Sequence, residues 1–134
     1  MKRKIIILSI ILLLTCACSG SSLKNINLKS LNNMLNNKET FILYLTDESN
    51  DGNVLKKTLS NVSKDNKIVS YYLNNESLND KDKKELKNII TFENTNIIIF
   101  IKKGTEETVL TRIDDIYIGE SKLKEELKTQ GYIK

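Results

Sequence analysis

Sulfur is scarce in this chain and lies near one end of it. The two cysteines are Cys16 and Cys18, and histidine, tryptophan and proline do not occur. The thiolate is the reactive form of cysteine, and imidazole is the commonest general base and metal ligand near neutral pH. Little is left for nucleophilic, redox or soft-metal chemistry. Oxygen donors are better supplied. Asp47, Ser49 and Asp51 alternate along one loop, followed by Gly52 and then Val54. They fall on positions 1, 3, 5, 6 and 8 of a calcium-binding loop. Position 12 would be Thr58, where a bidentate Glu belongs, and a strand rather than a helix precedes the loop. The first reading of these residues is therefore a polar strand-to-helix connection. In it Ser49, Asn50 or Asp51 caps the helix, and the carboxylates sit near its positive end. Calcium at Asp47, Ser49 and Asp51 is the second reading, and no metal is expected. Asp114-Asp115 reads as a turn. No separated pair of carboxylates stands out, so no enzymatic activity is expected and no catalytic residue is assigned.

The cysteines have a different use. Met1-Lys2-Arg3-Lys4 is a cationic start, and Ile5 to Leu14, broken only by Ser9, is an apolar run. That run is about half the roughly 20 residues that span a bilayer, so it reads as an export signal and not as a transmembrane anchor. Leu14-Thr15-Cys16-Ala17-Cys18 resembles the lipobox of bacterial lipoproteins. Cys18 has the small Ala17 before it and is the preferred lipidation site. Cys16 has the bulkier Thr15 before it, with Leu13 well placed at its minus-three position, and remains the alternative. The resemblance implies cleavage before Cys18 and a covalent diacylglycerol lipid on its sulfur. Two acyl chains suffice for stable attachment where one does not. The expected location is the extracytoplasmic face of the cell membrane.

Charge excludes one class of partner. Three of the 21 basic residues, Lys2, Arg3 and Lys4, belong to the signal, leaving 18 against 17 acidic residues in the mature chain. Nucleic-acid binding calls for a concentrated basic face with stacking aromatics. Here the signs are interspersed, as in Asp80-Lys81-Asp82-Lys83-Lys84-Glu85, which reads as a solvated helix face. The abundance of Asn, Lys and Ile matches AT-rich codon usage, and periodic apolar segments interrupt the Asn-rich stretches. About 117 residues follow the signal, enough for one domain with one core.

Periodicity then places the elements. Residues 18–25 form a short tether. Leu28, Leu31, Met34 and Leu35 make one stripe of a helix over 27–37. Thr40-Phe41-Ile42-Leu43-Tyr44-Leu45 is a continuous β-favouring run, as in a strand buried on both faces. After the polar stretch 47–53, a helix turns Val54, Leu55, Leu59 and Val62 inward. A strand over 67–73, a charged helix over 78–90 with Leu86, Ile89 and Ile90 inward, and a strand over 96–102 follow. Lys103-Gly104 turns the chain into a half-exposed strand over 107–113. A last helix covers 120–130, with Leu123 and Leu127 inward and Gly131 as its left-handed stop. Alternating α and β closed by a hairpin gives the α/β class, three α/β/α layers around a mixed central sheet.

The run 41–45, the segment Asn94-Thr95-Asn96-Ile97-Ile98-Ile99-Phe100-Ile101-Lys102-Lys103-Gly104 and the closing helix over 121–130 carry a resemblance over residues 26–133. They resemble the thioredoxin-like proteins, and more narrowly accessory proteins of the bacteriocin-transport type. Residues 1–17 are then the signal peptide, 18–25 the lipidated tether and 26–134 a thioredoxin-like domain. The resemblance implies a Cys-x-x-Cys pair where the first strand enters its helix; this chain has Asn50-Asp51-Gly52-Asn53 there. It also implies a cis-proline before the central strand, and Asn96 occupies that position. A cis bond before a non-proline residue costs about 2.5–4 kcal/mol, so a trans Thr95–Asn96 bond is predicted. The function expected is a redox-inactive, membrane-anchored binding or accessory module with a peptide or protein partner. The alternatives are a thiol-disulfide oxidoreductase or a bacteriocin-related accessory or immunity protein.

Overall fold

The computed structural model describes residues 22–93, 95–110 and 118–134. Strands β1 (Leu23–Asn25), β2 (Phe41–Thr46), β3 (Ser70–Asn74) and β4 (Ile97–Lys102) form a mixed four-stranded core, and β5 (Thr105–Leu110) extends it. The order is β1-β3-β2-β4-β5. β3 pairs parallel with both β1 and β2, while β4 runs antiparallel to β2 and β5 antiparallel to β4. The helices are α1 (Leu28–Asn36), α2 (Asn50–Asp65), α3 (Asp80–Ile89) and α4 (Glu120–Thr129), with a 3₁₀ turn at Asn75–Ser77. Among the described residues no helix is long and apolar enough to cross a membrane.

The continuous apolar runs of β2 and β4 arise because both faces of the sheet are covered. Successive side chains of a strand point to opposite faces. Ile42, Tyr44, Ile98 and Phe100 meet Leu55, Leu59 and Val62 of α2 and Leu123 and Leu127 of α4. Phe41, Leu43, Leu45, Ile97, Ile99 and Ile101 meet Leu28 and Leu31 of α1 and Leu86 of α3. The expected layers are therefore present. Burying one such side chain is worth roughly 1.5–3 kcal/mol, so the sheet is held from two sides.

Asparagine supplies many of the caps. Asn27 accepts from Ser30 N–H at the start of α1, Asn79 from Asp82 N–H at the start of α3, and Asn74 from Glu76 N–H before the 3₁₀ turn. Three helix C-termini share one hydrogen-bond pattern: Glu39 N–H to Met34 O, Ile68 N–H to Ser63 O and Tyr132 N–H to Leu127 O. Lys38, Lys67 and Gly131 take the left-handed conformation there, with φ of 54°, 54° and 79°. Gly131 thus stops α4 as expected, whereas α1 and α2 end on lysines that glycine would replace at lower cost.

The structure corrects the sequence reading at several places. Leu23–Asn25, assigned to the tether, is an edge strand in register with Ser70, Tyr71 and Tyr72; three residues are too few to show a period. α2 begins at Asn50 and Val54 is 42 % exposed, because its position lies about 100° around the helix from Leu55. β3 begins at Ser70, since Lys67 still belongs to the end of α2, and Val69 stands 46 % exposed. Residues 111–117, including Asp114-Asp115, lie outside the described residues, as do Cys16, Cys18 and Asn94.

Candidate functional site

β2 carries polar atoms only towards its C-terminal end. Tyr44 and Thr46 follow Ile42 at spacings of two, so all three share the face covered by α2 and α4. Tyr44 and Thr46 are fully buried, and buried hydroxyls need partners. The Tyr44 hydroxyl donates to the Gly52 carbonyl in the first turn of α2 at 2.6 Å. It also lies 3.2 Å from Asn96 Oδ1. Thr46 Oγ1 is 3.3 Å from the same Asn96 oxygen and accepts from Glu48 N–H at 2.9 Å.

Asn96 is the centre of this end of the molecule. Its backbone N–H donates to Leu45 O at 2.7 Å, which brings the start of β4 against the end of β2. Its side chain clasps Asp47 from two sides. Asp47 N–H donates to Asn96 Oδ1 at 3.2 Å, and Asn96 Nδ2 donates to Asp47 Oδ1 at 2.9 Å. A backbone N–H can only donate and a carboxylate only accept, so the two bonds together fix which way the amide points. Nδ2 also reaches Ser49 Oγ at 3.3 Å. Asn96 has φ of 61°, a conformation that asparagine tolerates better than most residues. No cis peptide bond occurs among the described residues, the Thr95–Asn96 bond included, as the cost argument predicts.

The loop of Asp47, Glu48 and Ser49 closes on itself. Asp47 Oδ1 accepts from Ser49 N–H at 2.9 Å, and Asp47 Oδ2 from the Thr95 hydroxyl at 3.1 Å. Ser49 is the N-cap of α2 and accepts from Gly52 N–H at 3.1 Å, so the capping reading of the loop holds. Gly52 is buried against Asn96; a Cβ there would collide with Asn96 Oδ1 and come within 3.1 Å of Thr46 Oγ1. Glycine is required at this position by proximity, since the clasp occupies the space a side chain would fill.

The electrostatics follow from the same contacts. Partial burial pushes the Asp47 carboxyl up. The Ser49 hydroxyl and N–H, the Asn96 amide and the Thr95 hydroxyl outweigh that effect and bring it down to about 2. Burial raises the Tyr44 phenol to about 12; the bond with Thr46 opposes this and the Asp47 charge adds to it. Neither group exchanges a proton near neutral pH, as general acid–base catalysis requires. Among the described residues no three His, Cys, Asp or Glu side chains gather as a metal site. The Asp47 carboxylate points instead at N–H and O–H donors.

The structure brings some of the singled-out residues together and leaves others apart. Asp47, Ser49 and Asn96 form one network. Asn50 and Asn53, where the resemblance implied a thiol pair, stand exposed in the first turn of α2 beside Asp51 and Val54. Asn96 reaches that helix through Ser49 and Gly52, with no bond to Asn50 or Asn53 among those described. Neither a protein-family model nor any curated protein matches this chain. Tyr44 and Thr46 were not expected at the site. Their one signal is polarity at the end of an apolar strand: a Tyr and a Thr two apart, on the face that Ile42 begins.

Elsewhere, a shallow groove of about 410 Å³ runs between α1 and α3, lined by Asn27, Leu28, Asn32, Leu78, Asp82 and Glu85 among others. It lies on the face of α1 and α3, and none of its lining residues belongs to the Asn96 network.

Proposed function

We propose that this chain is a bacterial lipoprotein whose thioredoxin-like domain is a redox-inactive binding or accessory module at the outer face of the membrane. A lipid on Cys18 holds it, and a peptide or protein partner engages the surface of Asn50, Asn53 and Val54. The fold-level support is the strand order β1-β3-β2-β4-β5 with parallel β1, β3 and β2, which suits a thioredoxin-like layout. The observation that carries the proposal is the Asn96 clasp. Where the thioredoxin-like proteins place a proline against two thiols, an amide joins β4 to the β2–α2 loop and satisfies its polar groups from within. That arrangement stiffens a recognition surface and supplies no electron carrier. Asn50 and Asn53 offer amide donors and acceptors beside the apolar Val54, a composition suited to an extended peptide.

Mass measurement of the processed N-terminal peptide is the first test. Acylated Cys18 at the terminus is expected, and Cys18→Ala should release the protein or leave it unprocessed. Insulin reduction by the processed protein should not exceed the blank. A reactive SH with turnover in that assay would move the assignment to a thiol-disulfide oxidoreductase. Capture from solubilised membranes should return a partner that Asn53→Arg loses; recovery unaffected by that substitution would count against this surface.

A further inference from the structure

We propose that the end of the sheet where β1, β2 and β3 begin rests on an anionic lipid surface, so that the Asn96 site faces away from the membrane. The inference rests on the lipoprotein reading and adds an orientation to it. Ser22 fixes where the anchor joins the domain: its carbonyl accepts from Ser70 N–H at 2.7 Å, at the start of β3. Four Cα–Cα steps separate Cys18 from Ser22, which limits the reach of the link to roughly 14 Å. β1, β3 and β2 run parallel from that end. The Asp47–Ser49 loop and Asn96 lie beyond the far end of β2, about 17 Å along the strand direction. A link this short at one end keeps that end against the bilayer and the other turned from it.

The surface at the anchored end suits such a neighbour. Lys38, Lys64, Lys67 and Lys103 are exposed there, beside the exposed acids Glu39 and Asp65. Contacts among Thr40, Lys103, Gly104 and Glu39 place the β4–β5 turn at this same end. Val69, 46 % exposed, precedes β3 among these lysines. Basic residues near a membrane surface are attracted to anionic headgroups, and an acyl anchor with a basic patch binds better than the anchor alone. The far end carries Asp47, Glu48, Asp51 and Glu76, each at or just after the end of β2 or β3, with Lys83 at 4.0 Å from Glu76, so these residues leave that end net acidic and the opposite end net basic, in the sense the orientation needs.

The test uses the processed, acylated chain in phosphatidylcholine vesicles with and without phosphatidylglycerol. A spin label is placed at Val69→Cys or at Asn53→Cys, both exposed positions, with Lys64→Cys and Asp51→Cys as a second pair. Relaxation by a lipid-borne nickel chelate should be several-fold stronger at 69 than at 53, and at 64 than at 51. Reversing Lys64, Lys67 and Lys103 to Glu should reduce the signal at 69 on phosphatidylglycerol vesicles to the level seen on phosphatidylcholine. Equal or inverted relaxation within both pairs, on protein whose mass shows the acyl group, overturns the orientation and leaves the lipoprotein reading standing. An unchanged signal after charge reversal overturns the anionic-lipid contact. A mass without acyl groups overturns both the reading and the inference.

Discussion

The two ends of the sheet are closed by different means. At the starts of the parallel strands the closure is mainly backbone, with a few hydroxyls, Tyr132 among them, added to it. α1, α2 and α4 end there in N–H to C=O bonds, Gly104 N–H donates to Glu39 O, and the Tyr132 hydroxyl reaches the carbonyls of Phe41 and Ile101 at 3.4 and 3.2 Å. At the opposite end the closure is made by side chains: one amide, one carboxylate and the four hydroxyls of Tyr44, Thr46, Ser49 and Thr95. Backbone closures depend on a few conformations and tolerate most side chains. A side-chain closure depends on identities, and removing one member leaves its buried partners unsatisfied. The first end should therefore fail at its glycine, and the second at its amide and at whatever crowds it.

Gly104→Ala tests the backbone end and should show the largest effect. Gly104 has φ of 73°, and a Cβ there would collide with the carbonyl oxygen of Leu35 and come within 3.2 Å of the Lys38 Cα. Neither obstacle is the end of a flexible side chain. A loss of about 2–3 kcal/mol is expected from strain and overlap together, measured by urea unfolding. A loss under about 0.5 kcal/mol, the ordinary scatter of surface changes, would mean that α1 and the β4–β5 turn are not tied as described.

Gly52→Ala makes the complementary test at the side-chain end. In a helix this substitution ordinarily stabilises by roughly 0.5–1 kcal/mol. Here the new methyl meets Asn96 Oδ1, so a loss of about 1–2 kcal/mol is expected as overpacking. Asn96→Gly empties that space and keeps the positive φ. In the Asn96→Gly background, Gly52→Ala should recover its usual favourable sign, a coupling of about 1–3 kcal/mol. Additive effects would show that the two residues are not in contact.

The same contrast explains what could be read from the sequence. The end where the parallel strands begin was legible in part: Lys103-Gly104 between apolar runs announces a turn, and Gly131 announces a helix stop. β2 and β4 were legible because strands covered on both faces lose their alternation and become continuous runs. The start of α2 and the starts of β1 and β3 were less so. Lys38 and Lys67 take left-handed conformations that no local pattern advertises, and β1 is only three residues long. The Asn96 network was visible only in pieces. Asp47 and Ser49 carried a plausible cation-loop spacing, and Asn96 was located by its distance from Gly104. That they face one another is a fact of the β2–β4 register, which joins residues some 50 positions apart. Spacing along the chain holds no record of it.

The smallest expected effect lies within the clasp and depends on pH. Asp47 titrates at about 2 in the folded protein against 3.8 for the unperturbed group. Between those values the unfolded chain binds more protons, so stability rises with pH through that range. The contribution is present above the unfolded value and is lost as pH falls through about 2. Because the Asp47 carboxylate is only partly buried, solvent screens its interactions, and the effect should be smaller than either glycine substitution. Asp47→Asn keeps the shape and removes the titration. Urea midpoints measured at intervals from about pH 5 to about pH 2 should fall less steeply in the variant than in the parent. Parallel profiles would mean that the donors of Ser49, Asn96 and Thr95 do not hold the carboxylate ionised. The Asn96 end would then rest on its amide and hydroxyl contacts without the carboxylate, and its difference from the other end would narrow.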